Sequence, residues 1–236
     1  MTSAVRVRPL ADTDLGPAAR LHLEVLNMEF LSRFGFAFLR AYYRAWLEAP
    51  GAIALAAVDD QEQVVGALLG AVDPAVHTRE MVRRHGMRLA ARLAVHALGH
   101  PMLAKDLVLT RGRRYARGLT RIAVARFRWT ATTSFPEPER PAIGEITHLL
   151  VRHDRQGSGI GRALVDAAAA AGTHADLDEL VLVTPPDLAA RAFYERLGWQ
   201  AAGEIVSRSG EYFLRYRFPL RATGPAGPAR SFPVSD

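Results

Sequence analysis

The chain has 236 residues, with 30 Lys and Arg against 24 Asp and Glu, a formal net charge of +6. The excess is local: residues 75–130 carry 13 basic residues against only Glu80 and Asp106, a net of +11, and the remainder sums to 17 − 22 = −5. Apolar content of 49% and charged content of 23% exclude general disorder, and the absence of cysteine excludes disulfides, Cys-based metal sites and Cys nucleophiles.

Only one of the 30 bases is lysine, Lys105, a bias best ascribed to genomic base composition. Met1 to Pro9 has no apolar run of signal-peptide length, and no run of ~18 uncharged apolar residues occurs, so a soluble, cytoplasmic protein is expected. Val5–Arg8 alternates and reads as a strand. Asp12 or Thr13 can cap a helix through Leu15, Ala19, His22, Leu23 and Leu26. Phe34–Leu47 is a second amphipathic helix, closed by Pro50-Gly51. Ile53–Val58 and Val64–Val72 form a hairpin about the turn Asp59–Glu62.

The basic segment follows. From Thr78 to Leu98 the positions Val82, Gly86, Leu89, Ala90, Leu93, Ala94, Ala97 and Leu98 form an apolar stripe, with Arg83, Arg84, Arg88 and Arg92 off it. A second helix is predicted over Arg113–Phe127, and Thr130–Pro141 is a proline-rich loop. Ile143–Val151 is a strand, Ser158–Ala171 an alanine-rich helix stopped by Gly172, and Leu180–Thr184 a strand. Pro186 or Asp187 opens a helix ending at Gly198, then Gly203–Ser207 and Tyr212–Pro219 alternate as a terminal hairpin. The order β-α-α-β-β, helical insert, β-α-β-α-β-β predicts a mixed sheet covered by helices. Residues 1–74 and 131–220 are expected to form one domain, with 75–130 inserted and 221–236 a disordered tail.

The most specific stretch runs Arg155-Gln156-Gly157-Ser158-Gly159-Ile160-Gly161-Arg162 between a predicted strand and a helix start. Glycines allow a tight turn and close approach, and the first N–H groups of the helix favour an anion such as a pyrophosphate. Gln156, Arg155 or Arg162 could add side-chain donors. Counting from Gly157, both the dinucleotide fingerprint and the P-loop require glycine where Arg162 stands, so neither motif fits.

Gln156, Gly159 and Gly161 set a Q-x-x-G-x-G pattern that resembles the coenzyme A pyrophosphate loop of the GNAT superfamily of acyl-CoA-dependent N-acyltransferases. Leu149-Leu150-Val151 looks like the strand leading into it. Arg191-Ala192-Phe193-Tyr194-Glu195-Arg196-Leu197-Gly198-Trp199 resembles that superfamily's second motif, and Val5–Pro9 followed by Asp14 is also typical. The resemblance spans roughly residues 3–74 and 142–220 and leaves the segment 75–130 outside. It implies an α/β fold with a GNAT-like, mostly antiparallel mixed sheet flanked by helices. It also implies acetyl-CoA or another acyl-CoA as co-substrate, no metal, and the cofactor-binding set Leu150, Val151, Arg155, Gln156, Gly157, Ser158, Gly159, Ile160, Gly161, Arg162 and Asp187. Where the family often has an asparagine seven residues before the tyrosine, this chain has Asp187, which also suits a helix N-cap.

Amine acylation by a thioester needs a neutral nucleophile, a stabilised oxyanion and a stabilised leaving thiolate. By resemblance Tyr194 is the acid for the thiolate, and the N–H of Leu150 or Val151 the oxyanion donor. For the base, resemblance favours Glu145, while His148 has a reference pKa of about 6.5 that suits the task. Strand alternation puts Glu145, Thr147, Leu149 and Val151 on one face and Ile146, His148 and Leu150 on the other, so only one base can meet the substrate unless a bulge intervenes.

The function implied is N-acetyl transfer to a small primary amine. Alternatives are acetylation of a macromolecule docked on the basic segment, and a non-catalytic acyl-CoA or nucleic-acid binding module. Residues 75–130 read first as a helical cap with solvated arginines. They also fit recognition of an acidic acceptor or nucleic acid, a membrane surface flanked by Phe127 and Trp129, or a homodimer contact. The histidines show no metal spacing.

Overall fold

The computed structural model describes residues 4–27, 31–99, 141–206 and 212–221. The chain runs β1 (Arg6–Pro9), α1 (Leu15–Val25), α2 (Gly35–Glu48), β2 (Ala52–Val58), β3 (Val64–Ala71) and α3 (Pro74–Leu98). It continues with β4 (Ile143–Val151), α4 (Ile160–His174), β5 (Glu179–Thr184), α5 (Leu188–Arg196), β6 (Gln200–Val206) and β7 (Tyr212–Pro219). The expected helix Arg113–Phe127, residues 130–140 and the tail from residue 222 lie outside the described residues.

The strands form one sheet in the order β1-β2-β3-β4-β5-β7-β6. Every neighbouring pair is antiparallel except β4–β5, so the sheet is mixed and mostly antiparallel, as expected. The parallel pairing is short, joining only Ile143–Ile146 to Glu179–Leu182. Beyond it β4 and β5 part, and the sheet is split between their C-terminal ends. A split leaves main-chain N–H and C=O groups without a ladder partner, and such groups are the ready-made donors of a binding site.

Each sheet face carries its own core. On one side α1 packs Leu15, Ala18 and Leu21, and α2 packs Phe38, Tyr42, Tyr43 and Trp46, against Ala67, Leu69, Ala71 and Leu150. The aromatic residues of α2 recur at helical spacing, so they share one stripe. Trp46 also donates its indole N–H to the Gly70 carbonyl at 3.0 Å, which satisfies its polar end. On the other side Ile160, Leu164, Val165 and Ala168 of α4 meet Leu68, Ile146, Leu180 and Leu182, joined by Tyr194, Trp199 and Tyr216. Burying each large side chain contributes about 1.5–3 kcal/mol.

Three local expectations change. Neither Asp12 nor Thr13 caps α1. Its N-cap is Asp14, whose carboxylate turns away to accept from the Arg8 guanidinium at 2.6 and 3.0 Å and from the Ala11 N–H at 2.8 Å. Burial alone would raise the Asp14 pKa, but these donors together hold it below the usual carboxylate value. The stability they supply is full above the unfolded carboxylate pKa and is lost as pH falls through the depressed one. Asp14→Ala strands the Arg8 charge and breaks the turn into α1. Chemical denaturation at pH 7 should show a loss of about 2–3 kcal/mol that vanishes toward pH 2.

The second change is at Gly172, which does not stop α4. The helix runs on to His174, and the glycine leaves room for Leu220, whose Cδ1 would lie 2.7 Å from a Cβ there.

The third is the inner face of α3. The helix begins at Pro74, capped by Asp73 accepting from the Val76 N–H at 2.9 Å. Its buried residues are His77, Met81 and His85, with Leu89 and Leu93 following, whereas Leu98 is 86% exposed. An apolar-only pattern misses this row because two of its members are histidines. His77 can be buried because its Nδ1 lies 3.0 Å from the Pro50 carbonyl and its ring packs 4.5 Å from Trp46. His85 reaches Glu48 at 3.3 Å.

Candidate active site

The glycine loop closes the β4–α4 connection. Gly157 and Gly159 have φ of +77° and +87°, the left-handed region that L side chains avoid. Around both positions nothing lies within 4 Å of a would-be Cβ, so the requirement there is conformational and the space above is open. Ser158 Oγ donates to the Arg155 carbonyl at 2.6 Å and Gln156 Nε2 donates to the Val151 carbonyl at 3.2 Å, fixing the loop. The first intrahelical bond of α4 runs from the Ala163 N–H to the Gly159 carbonyl, so the N–H groups of Ile160, Gly161 and Arg162 have no partner within the helix. They open outward with the positive end of the helix dipole, as a pyrophosphate requires. Gly161 has a different task, since a Cβ there would sit 3.2 Å from the Phe193 ring of α5. Gly159→Ala forces ~1–2 kcal/mol of strain or a shifted loop, and calorimetric titration with coenzyme A should show affinity reduced about tenfold.

The loop forms one end of a cleft of about 800 Å³ that follows the sheet split. Its lining includes Val25, Leu149, Val151, Gln156, Gly157, Gly159, Gly161, Arg162, Thr184, Asp187, Phe193, Tyr194 and Arg196. The cleft thus brings together Val151, Gln156, Gly157, Gly159, Gly161, Arg162, Asp187 and Tyr194 from the residues expected in the sequence. Leu150, Arg155, Ser158, Ile160 and the two candidate bases, Glu145 and His148, are not in its lining. Leu150 and Ile160 turn their side chains into the two cores, at 0% and 4% exposure, so only their main chain can serve a ligand. Asp187 caps α5, accepting from the Ala189 N–H at 2.9 Å.

Register decides between the two oxyanion donors. The Arg152 N–H donates to the Val65 carbonyl at 2.9 Å, which makes that pair a hydrogen-bonded one in the antiparallel β3–β4 ladder. Alternation then commits Leu150, opposite Ala67, to the ladder and turns the main-chain N–H and C=O of Val151, opposite Gly66, away from β3. The Val151 carbonyl duly meets the Gln156 side chain instead. The free N–H at the split is therefore that of Val151, not Leu150.

The two candidate bases also find their arrangement in this ladder. His148 pairs with Leu69, and Ile146 pairs with Gly70, leaving Thr147 as an extra residue. Beyond this bulge Glu145 stands opposite Ala71. Cross-strand partners share a face, and both Leu69 and Ala71 belong to the core on the α1–α2 side. The simple alternation that separated Glu145 from His148 is thus broken: both side chains belong to one face, and His148 acts on the charge of Glu145. His148 is buried among His22, Tyr42 and Trp46, its ring centroid 5.1 Å from that of His22. Glu145 is only half-buried. Burial raises its pKa, and the charges of Arg215 and His148 pull it back in part, leaving it above the ordinary carboxylate value.

Tyr194 lies across the split, on α5. It is 8% exposed and packs on Phe193, Trp199 and Tyr216 with centroids 5.0, 5.8 and 5.8 Å apart. Burial pushes its phenol up to about 12, so it is a neutral donor at any physiological pH. It is both a core aromatic and a cleft residue. Sequence reasoning missed Arg215, whose only signal was the alternation of Tyr212–Pro219, and the buried His22–Tyr43 pair at 3.2 Å. Among the described residues no cluster of three or more His, Cys, Asp or Glu could hold a metal.

Residues 111–199 match the sequence profile of the Acetyltransferase (GNAT) family, a span that holds the glycine loop and Tyr194. No curated protein matches the sequence. Among solved structures, one described as a GNAT-family acetyltransferase from Desulfovibrio desulfuricans superposes with a TM-score of 0.55 at 16% identity, covering 92% of this chain and 100% of its own. A chimeric spermidine N-acetyltransferase from Vibrio cholerae and hSSAT gives 0.56 at 15% identity, covering 92% and 96%. A chain of the NatC complex bound to Gag peptide and CoA gives 0.52 at 15% identity, covering 92% and 99%.

Proposed function

The chain belongs to the GNAT superfamily, and from that premise we propose that it is an N-acyltransferase moving an acetyl group from acetyl-CoA to a small primary amine. The observation that carries this reading is the split between β4 and β5. Anion-binding N–H groups of the glycine loop stand at one end of it, and the Val151 N–H and the Tyr194 phenol line its walls. Pyrophosphate bound at the loop would lay the thioester arm along the split, toward the face that carries Glu145.

The chemistry then follows from the residues present. An alkylammonium has a pKa of about 10, so the acceptor must lose a proton before it can attack. Glu145, whose carboxylate is a better base than an exposed one, takes that proton. The amine adds to the thioester carbon, and the oxyanion so formed accepts from the Val151 N–H. As the C–S bond breaks, the Tyr194 phenol donates a hydrogen bond to the departing sulfur. Full proton transfer from a phenol of about 12 to a thiolate of about 8.5 would cost ~5 kcal/mol, so Tyr194 stabilises the thiolate and water supplies the proton.

The neighbouring folds act on spermidine in one case and sit beside a peptide in another, so the fold alone does not choose the acceptor. A cytoplasmic location goes with the use of acetyl-CoA. The test is calorimetric binding of acetyl-CoA followed by thiol release across alkylamines, amino acids and peptides. Binding with acceptor-dependent thiol release supports the reading. Absent coenzyme A binding, with salt-dependent binding of RNA or DNA, would overturn it in favour of a nucleic-acid module.

A further inference from the structure

The open face of the sheet beside the split carries a charge with no ion pair among the described residues. On β5 and β7 the register pairs Val181 with Arg217 and Val183 with Arg215, so these side chains share the face that carries Glu145, itself opposite Val181. Arg217 is matched, with Glu179 at 3.8 Å. Arg215 forms no ion pair among the described residues, although it is partly buried and close enough to Glu145 to act on its charge. It lies toward the C-terminal end of β5, where the split opens. Its side chain is not in the lining of the cleft that runs from the glycine loop to Tyr194, so it is not spent on the pyrophosphate end. Beside it Val183 and Ile205 are each 40% exposed, an apolar surround in which a charge pair is screened less than in water.

A half-buried guanidinium with unused donors is costly unless a ligand completes it. Its planar fork matches a carboxylate bidentately. Glu145, on the same face, draws the ammonium or amine of the acceptor. The two together form a dipolar pair on one face of the sheet, negative at Glu145 and positive at Arg215. From this geometry we infer that the acceptor is a zwitterion: an amine bearing a carboxylate a few bonds away, with Arg215 holding the carboxylate while Glu145 faces the amine. This deepens the acyltransferase reading above and rests on it. Arg215 is a specificity-determining residue that touches substrate away from the reacting atoms.

The experiment uses the full chain with acetyl-CoA and four probes: leucine, leucinamide, 3-methylbutylamine and phosphoethanolamine. Thiol release is measured for the parent and for Arg215→Met and Arg215→Lys. In parallel, binding of each probe to the coenzyme A-loaded protein is measured by calorimetry, so the inference is read even where turnover is slow. The parent should prefer leucine to leucinamide and to 3-methylbutylamine. In Arg215→Met the leucine-to-leucinamide ratio of kcat/KM should fall about 10–100-fold, mostly through KM, and Arg215→Lys should restore part of it. Losing Arg215 also changes the basicity of Glu145, but for every acceptor alike, so the ratio isolates the carboxylate contact. Equal losses for leucine and leucinamide, or a parent indifferent to the carboxylate in both turnover and binding, would overturn the inference while leaving the acyltransferase intact. A parent preferring phosphoethanolamine would assign Arg215 to a phosphate and overturn the carboxylate. Failure of acetyl-CoA to bind would instead strike the premise.

Discussion

Glu145→Gln is expected to lower kcat/KM for amine acetylation by about 100- to 1,000-fold near neutral pH, the usual weight of a positioned general base. Half-buried on β4 beside the split, Glu145 is held above the ordinary carboxylate pKa chiefly by desolvation, which makes its carboxylate a stronger base. In the parent, kcat/KM should therefore rise with pH through that raised value as Glu145 ionises. In the glutamine variant this rise should disappear, leaving only the increase that follows the free amine at alkaline pH. His148→Ala serves as the comparison, and retention of the Glu145 limb there separates the two candidates. If Glu145→Gln kept the parent's pH profile and rate, Glu145 would not be the base.

The same group makes a second, opposite statement about stability. An acid whose folded pKa is raised stabilises the fold fully below its unfolded pKa and loses that contribution as pH rises through the folded one. Once ionised, Glu145 is thus a burden on the fold. Glutamine at this place should leave the melting temperature unchanged or slightly higher while activity collapses. A residue kept for structure would move both together, so this trade-off is the signature of a functional carboxylate.

How much of this could be read from the sequence depends on which interactions are local. The order of elements was legible because alternation and helical periodicity are carried by neighbours a few residues apart. The glycine loop was legible for the same reason: φ of +77° and +87° at Gly157 and Gly159 is a demand made on single residues. What could not be read was pairing. Nothing in Ile143–Val151 announces that Thr147 will be the extra residue, because a bulge is a relation between β4 and β3. That single slip reverses the face of Glu145 and puts the two candidate bases on the same side of the sheet. The Arg152–Val65 bond, which turns the Val151 N–H and not that of Leu150 away from β3, is equally a property of register. Arg215 was invisible for a third reason: it becomes notable only because Arg217, two residues on and on the same face, has Glu179 and it does not. The inner face of α3 was misread because buried histidines with partners look polar in a hydropathy pattern.

Tyr194→Phe is the second large expected effect, about 10- to 100-fold on kcat with acetyl-CoA affinity preserved. The substitution removes one oxygen and leaves the ring against Phe193, Trp199 and Tyr216, so packing and the wall of the cleft survive. What is lost is a donor aimed at the sulfur, whose charge appears only as the C–S bond breaks. An interaction made in the transition state and not before lowers kcat and kcat/KM together and spares binding. The magnitude follows from the phenol of about 12, which cannot hand over its proton to a thiolate of about 8.5 and so contributes a hydrogen bond worth ~1.5–3 kcal/mol. It also follows that no pH limb below about 10 should belong to Tyr194, and the phenylalanine variant should keep the parent's profile at a lower height. A thioester donor with a more acidic leaving thiol, needing less stabilisation, should narrow the gap between parent and variant. Rates for such a donor that fall by the same factor as for acetyl-CoA, or a variant that loses coenzyme A affinity instead of turnover, would return Tyr194 to a purely structural place in the core.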